Sequence, residues 1–267
     1  SLGLVGSEMC IRDRINRVYV DRVHVKKAFA EYTAAYNADD PKIKLKIDHT
    51  YRVAALCERI AKAAGMCAYD VELAWLSGML HDVGRFEQIK RYNTFSDADS
   101  VDHAKFGADL LFKDGLISTF LNGMVKCTGY KPGALEDRYS SDGVFLYDRL
   151  NKSDMEMLEL AIRCHNMYRI PQGLNRREQA FCNVLRDADK VDIFKVNIDT
   201  PLEEIYNTTT EELMKSDITD EVLEAFDEEH CILKAIRRTP ADTVIGHVSL
   251  AYELVYDESV RITVEQG

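Results

Sequence analysis

His81 and Asp82 are adjacent and follow an apolar helical stretch, residues 71–80, so they are the residues of this chain best placed to do chemistry. A carboxylate at the end of a buried helix needs a compensating charge, because burying it without a partner is very costly. A metal ion provides that charge. Neighbouring side chains diverge within a helix, but they can converge on one ion where the helix ends. The pair therefore indicates two ligands of a metal site.

Other candidate ligands lie far away along the chain. A single buried histidine is more often a hydrogen-bonded core residue than a ligand. Here, however, four of the seven histidines lie on or at the end of apolar helical stripes, which predicts that they project into a helical core: His49, His81, His103 and His165. A later helix, 177–196, has inward apolar residues with three acids nearby: Asp187, Asp189 and Asp192. One cation would satisfy most of these groups at once.

The order of these residues resembles the HD superfamily of metal-dependent phosphohydrolases. The similarity covers residues 46–197 and lies in His49, in the strings HDVGRFEQ from residue 81 and DHAKFGA from residue 102, and in DADK from residue 187. The resemblance implies an all-α HD-domain helical bundle whose divalent metal is held by four residues: His49, His81, Asp82 and Asp189. Periodicity alone leaves Asp187 and Asp189 as alternatives for the last ligand.

His103 and His165 extend the ligand set. Members of the superfamily with two metals have extra histidines between the His-Asp pair and the final Asp, and both positions are filled here. The resemblance implies either a second metal ion or direct contacts from these imidazoles to a substrate phosphate. The alternative is that both rings only orient a bound water or the other ligands.

The predicted reaction is hydrolysis of a phosphomonoester or phosphodiester by a metal-activated water, with Asp82 at its centre. Nitrogen and carboxylate ligands suit manganese, iron, nickel, cobalt, zinc or magnesium and do not choose among them. Arg85 and Lys190 are the candidate cations for phosphate oxygens. Each has an ordinary alternative, a surface salt bridge. The resemblance implies a small, nucleotide-like phosphorylated substrate.

Two other functions stay open at this point. Some proteins with the HD fold are oxygenases that use paired irons, and the two extra histidines are compatible with that chemistry. The other alternative is a non-catalytic nucleotide-binding sensor with an HD fold. The intact ligand set favours an enzyme over the sensor.

The elements that must position these residues form one predicted helical domain, residues 15–267, with core motifs at 46–197 and a C-terminal helical extension at 200–267. Thr200-Pro201 and Thr239-Pro240 are typical of helix starts. The run 261–264 would also fit a short strand. Residues 1–14 resemble translated adapter sequence, so we expect a non-native or disordered segment and a native chain that begins near Ile15.

The amino-acid composition argues against several classes of binding partner. The net charge of −11 argues against nucleic-acid polymers and membrane surfaces, and no apolar run is long enough for a membrane span. Seven cysteines without a CxxC pair are typical of buried thiols in a reducing compartment, which predicts a cytoplasmic protein. The amphipathic acidic helices after residue 200 would either close the bundle or pair with a second copy in a homo-oligomer.

Two irregular segments are predicted to border the site. The polar, turn-rich stretch 91–100 would form one wall of its mouth. The segment 124–151 is the longest irregular stretch, and long loops inside compact domains are usually functional, so it is the candidate lid.

Overall fold

The computed structural model describes residues 20–37, 39–121, 150, 152–206 and 208–267, and the regular elements among them are all helical, which confirms the all-α class. The segment 1–14 and all of the candidate lid except residue 150 lie outside these ranges. The α-helices are α1 (Arg22–Thr33), α2 (Pro41–Ala63), α3 (Ala68–Leu80), α4 (Val83–Tyr92), α5 (His103–Ala108), α6 (Ile117–Phe120), α7 (Lys152–Cys164), α8 (Arg176–Asp199), α9 (Leu202–Tyr206), α10 (Thr210–Lys215), α11 (Asp220–Asp227), α12 (Pro240–Val248) and α13 (Asp257–Gln266).

Helices α2, α3 and α8 pack together at the centre of the fold. Residues 73–80 of α3 are all buried, which explains why that helix is apolar on every face. Helix α2 buries only one stripe, and His49 lies on it with Val53 and Cys57, as its periodicity predicts. Gly78 allows the two helices to approach closely, because a Cβ there would lie 2.6 Å from the Cα of Ala54. The end of α3 is thereby held against α2.

Gly84, near the start of α4, is in direct contact with α5. A Cβ on Gly84 would lie 2.4 Å from the carbonyl oxygen of His103 and 2.7 Å from the amide nitrogen of Gly107. Backbone atoms cannot rotate away from such a clash. Because glycine has no side chain, α4 and α5 can make this close backbone contact. The contact sets the distance between His103 and the turn that carries Asp82.

Gly84→Ala is expected to lower the free energy of unfolding by about 3 kcal/mol, because the methyl group overpacks a rigid backbone contact. Urea denaturation measures this loss. The matched control is Gly65→Ala, where no atom lies within 4 Å of the added Cβ and only the left-handed φ of +72° is unfavourable, at about 1 kcal/mol. Equal losses in the two variants would contradict the packing argument.

The part of the chain after α8 differs from the sequence prediction in two places. Thr239 does cap α12, with Pro240 at the first position, but Thr200 ends α8 and the following helix begins at residue 202. The run 261–264 is not a strand. It belongs to α13, in which Ser259 and Ile262 are buried at helical spacing. Among the described residues, no helix has the length and apolar character needed to cross a membrane.

Candidate metal centre

The junction of α3 and α4 makes two neighbouring side chains converge. His81 directly follows α3 and still has helical backbone angles, whereas Asp82 turns away (φ −105°, ψ 14°) and caps the start of α4. His81 is fully buried and Asp82 is 2% exposed. The ring Nδ1 of His81 donates to the carbonyl of Gly78 at 2.8 Å, so the lone pair of the neutral ring is on Nε2. That atom lies 3.6 Å from Asp82 Oδ2.

Four neighbouring donor atoms are here called the first donor group: His49 Nε2, His81 Nε2, Asp82 Oδ2 and Asp189 Oδ1. The two imidazole nitrogens lie 3.3 Å apart. His49 Nε2 lies 3.1 Å from Asp189 and 3.6 Å from Asp82, and His81 Nε2 lies 3.8 Å from Asp189. Helices α2 and α8 and the junction of α3 with α4 thus bring residues 49, 81, 82 and 189 together.

A second donor group uses the other oxygen of the same carboxylate. Asp82 Oδ1 lies 3.5 Å from His103 Nε2 and 3.7 Å from His165 Nε2, and these two nitrogens are 3.1 Å apart. His103 begins α5, and His165 directly follows α7. The two extra histidines therefore meet at Asp82, although the sequence placed them on separate helices.

The spacing and the hydrogen bonds fit metal ions. Two ligands at about 2.1 Å from one ion are about 3.0–3.4 Å apart for angles between 90° and the tetrahedral value. The Nδ1 atoms of His49, His103 and His165 also donate to oxygen, at 2.6–2.7 Å. His103 and His165, when neutral, then present only lone pairs to one another, and a cation between them removes that repulsion. The donor set is nitrogen and carboxylate, without thiolate. The individual ligand roles stay predictions.

Burial sets the protonation of the second donor group. It lowers the pKa of His103 and of His165 to about 4, with Arg85 acting in the same direction on His103. Burial alone would raise the pKa of Asp82, but Lys46 and the surrounding cations hold it well below its ordinary value. For His49, two carboxylates outweigh burial and raise the pKa. Neutral rings and an ionised Asp82 are the states that bind metal.

The metal-free chain is expected to lose stability as the pH falls. His103, His165 and His247 have folded pKa values of about 4, below the ordinary 6.5. Between these values the unfolded chain binds protons that the folded chain does not, so their contribution is complete above pH 6.5 and is lost toward pH 4. We expect a loss of about 2 kcal/mol for each of these histidines by about pH 5, partly offset by His49. Urea denaturation in EDTA measures it, and a flat profile would contradict the burial argument.

Two carboxylates that the sequence did not assign orient the ligand rings. Asp192 is fully buried and accepts from His49 Nδ1 at 2.6 Å and from Arg52 Nε at 2.6 Å. Asp97 accepts from His103 Nδ1 at 2.6 Å. The sequence did indicate Asp192 as an acid near the inward face of this helix, three residues after Asp189. Asp97 belongs to the polar stretch predicted to border the mouth, and nothing in its spacing marks it.

Two cations flank Asp82. Arg85 is held by Asp97 (2.8 Å) and by the carbonyl of Phe95 (2.6 Å), and its Nε lies 3.8 Å from Asp82 Oδ1. That Nε is buried and has no hydrogen-bond partner among the described residues. Lys46 Nζ lies 2.8 Å from Asp82 Oδ2. The sequence prediction included Arg85 but missed Lys46, whose only signal is its place one turn before His49.

The structure separates Asp187 and Lys190 from the two donor groups. Asp187 accepts from the backbone amides of residues 255 and 256 and from the Ser259 hydroxyl, so it anchors the C-terminal part and leaves Asp189 as the acid at the cluster. Lys190 Nζ lies 3.9 Å from Glu253, on the side of α8 that faces the C-terminal part. Its predicted catalytic role has no supporting contact among the described residues, because a step of one residue turns a side chain about 100° around a helix.

Comparison with known proteins gives one match. No curated protein and no solved structure matches the chain. The family model for the HD domain matches residues 47–239, which include every member of the two donor groups. The matched region also continues past residue 197, where the sequence resemblance ended, into the C-terminal part. This chain belongs to the HD domain family.

Proposed function

We propose that this protein is a metal-dependent phosphohydrolase that cleaves a phosphomonoester or phosphodiester bond of a small, nucleotide-like substrate. The observation that carries the proposal is the position of Asp82, which directs one oxygen to each of two histidine pairs while Lys46 and Arg85 flank it. Membership of the HD domain family, a family of metal-dependent phosphohydrolases, supports the same reaction class.

The proposed cofactor is a pair of divalent ions that share Asp82. His49, His81 and Asp189 complete the first site, and His103 and His165 complete the second. A bound divalent ion supplies a water of lowered pKa and polarises the phosphoryl group. The ligand types are compatible with manganese, iron, nickel, cobalt, zinc or magnesium. Metal content per chain by elemental analysis tests the pair, and full activity with one ion would overturn it.

The two flanking cations have the proposed task of binding the phosphoryl oxygens. Arg85 is pre-oriented by Asp97 and presents a buried N–H that lacks a partner, so an anionic oxygen beside Asp82 would satisfy it. Lys46 places a second positive charge 2.8 Å from the opposite oxygen of Asp82. Charge that develops on the phosphoryl group would be stabilised from both sides.

The decisive experiment is a phosphatase and phosphodiesterase screen with each divalent metal, run on the parent chain and on His81→Ala. We expect metal-dependent phosphate release from the parent and about a hundredfold less from the variant. The matched control is His24→Ala, whose ring lies outside both donor groups and forms a hydrogen bond with the carbonyl of Thr119.

Three outcomes would contradict the hydrolase. Equal activity of His81→Ala and the parent would show that the proposed metal centre is not the active site. Iron-dependent oxygen uptake without phosphate release would favour the oxygenase. A nucleotide-induced thermal shift without turnover would favour the sensor.

Lys46→Met is expected to lower kcat/KM by about tenfold to a hundredfold, because it removes one charge from the phosphoryl group. Metal content should stay at the parent level, since Lys46 contributes no metal ligand. Lys42→Met, an exposed lysine on the same helix, is the control. Loss of metal in Lys46→Met would assign the lysine to the support of Asp82 instead.

A further inference from the structure

A second concave site lies between α8 and the C-terminal part of the chain. The pocket has a volume of about 330 Å³. Its polar lining includes Arg169, Arg186, His230 and Glu253. None of these four side chains belongs to the two donor groups. In a chain with a net charge of −11, a pocket bordered by so many basic side chains needs an explanation.

A buried ammonium group lies directly behind this lining. The side chain of Lys190 is 9% exposed, and its Nζ has no hydrogen-bond partner among the described residues. Its nearest acidic atom is Glu253 Oε2, at 3.9 Å, which is beyond hydrogen-bond distance. A buried charge without hydrogen bonds is costly, so this site is incomplete as the protein alone builds it.

Glu253 is the only carboxylate of the pocket that still has capacity for cations. It faces Arg186 at 3.6 Å, His230 at 3.8 Å and Lys190 at 3.9 Å, and it forms a hydrogen bond with none of them. The other carboxylate, Asp187, is already engaged by two backbone amides and a hydroxyl. With Lys190 included, three permanent cations therefore face two carboxylates, and the ammonium of Lys190 has unused N–H groups.

We propose that this pocket is a binding site for a small oxyanion, either free phosphate or the phosphate group of a metabolite, separate from the metal centre. An oxyanion accepts several hydrogen bonds at once and would lie in the pocket against Arg169 and Arg186, with the ammonium of Lys190 next to Glu253. Glu253 would compete with it for the same cations. The proposal does not depend on the hydrolase activity.

The test is calorimetric titration of the EDTA-treated full chain with inorganic phosphate. We expect one phosphate per chain, with affinity about tenfold weaker in Arg169→Gln and in Lys190→Met, because each removes a charge-assisted contact. Glu253→Gln should bind about tenfold more tightly, since it removes the competing charge. Arg186 is left unchanged, because its guanidinium also holds the carbonyls that follow α7.

Lys42→Met, which removes an exposed lysine outside both sites, is the control and should leave phosphate binding unchanged. The proposal is overturned if the parent binds no phosphate, which would leave water as the partner of Lys190. It is also overturned if Lys46→Met abolishes binding while Lys190→Met does not, or if Glu253→Gln gains no affinity. Arg169 is exposed, so its substitution reports on binding rather than on folding. Repeating the titration with a nucleoside monophosphate separates free phosphate from a phosphorylated metabolite.

Discussion

Asp82→Asn is expected to lower phosphate release by on the order of a thousandfold, about 4 kcal/mol in the barrier, and to remove metal from both donor groups. Among the described residues, this carboxylate alone directs one oxygen to each group, at 3.5–3.7 Å from four imidazole nitrogens. An amide keeps the shape, but it replaces one negatively charged oxygen with an NH₂ group that does not bind cations. In either orientation of the amide, one donor group therefore loses its oxygen ligand, and the other keeps only a neutral oxygen that binds metal more weakly.

The measurement is metal content by elemental analysis together with steady-state hydrolysis. Asp40→Asn is the matched control, because Asp40 caps α2 through the amide of Lys42 and asparagine caps a helix equally well. Parent-like metal content in Asp82→Asn would show that the two groups do not share this residue.

Asp192→Asn is expected to weaken metal binding at the first donor group by about tenfold to a hundredfold, the usual effect of removing the partner of a ligating histidine. Asp192 fixes the His49 ring by accepting from Nδ1, which keeps Nε2 directed at Asp189. Asparagine can present its NH₂ group to the same nitrogen and so favour the wrong tautomer. The second group, which Asp192 does not contact, should retain its metal.

Asp187→Asn provides the comparison on the same helix. Both acids are completely buried, but Asp187 accepts from the backbone and a hydroxyl rather than from an imidazole. We expect this variant to lose stability to urea without a change in metal affinity. Equal metal affinities in the two variants would mean that Asp192 acts only in packing.

The helical fold and the inward histidines could be predicted because helix periodicity is a local property of the sequence. His49 shares its stripe with Val53 and Cys57, and that stripe is buried as expected. The choice between Asp187 and Asp189 was not local. Both border the buried face of α8, and the decision depends on which neighbour packs on each side, the C-terminal part or α2.

The residues that sequence reasoning missed look ordinary in sequence. Lys46 is typical of a solvated helix face, and Asp97 of a turn, until the fold brings one to Asp82 and the other to His103. The incorrect strand at 261–264 has a similar origin. Its β-branched residues favour a strand locally, but the burial of Ser259 and Ile262 on one face outweighs that preference.

The three hydrogen bonds that Asp187 accepts connect the far end of the polypeptide to the helix that carries Asp189. A chain truncated before residue 255 would leave the buried carboxylate of Asp187 without its hydrogen-bond donors. The loss of these bonds would lower the free energy of unfolding by about 1–3 kcal/mol. Asp187 is two residues before Asp189, which belongs to the first donor group. The C-terminal part therefore stabilises the helix that carries Asp189, although the last helix contributes no predicted ligand.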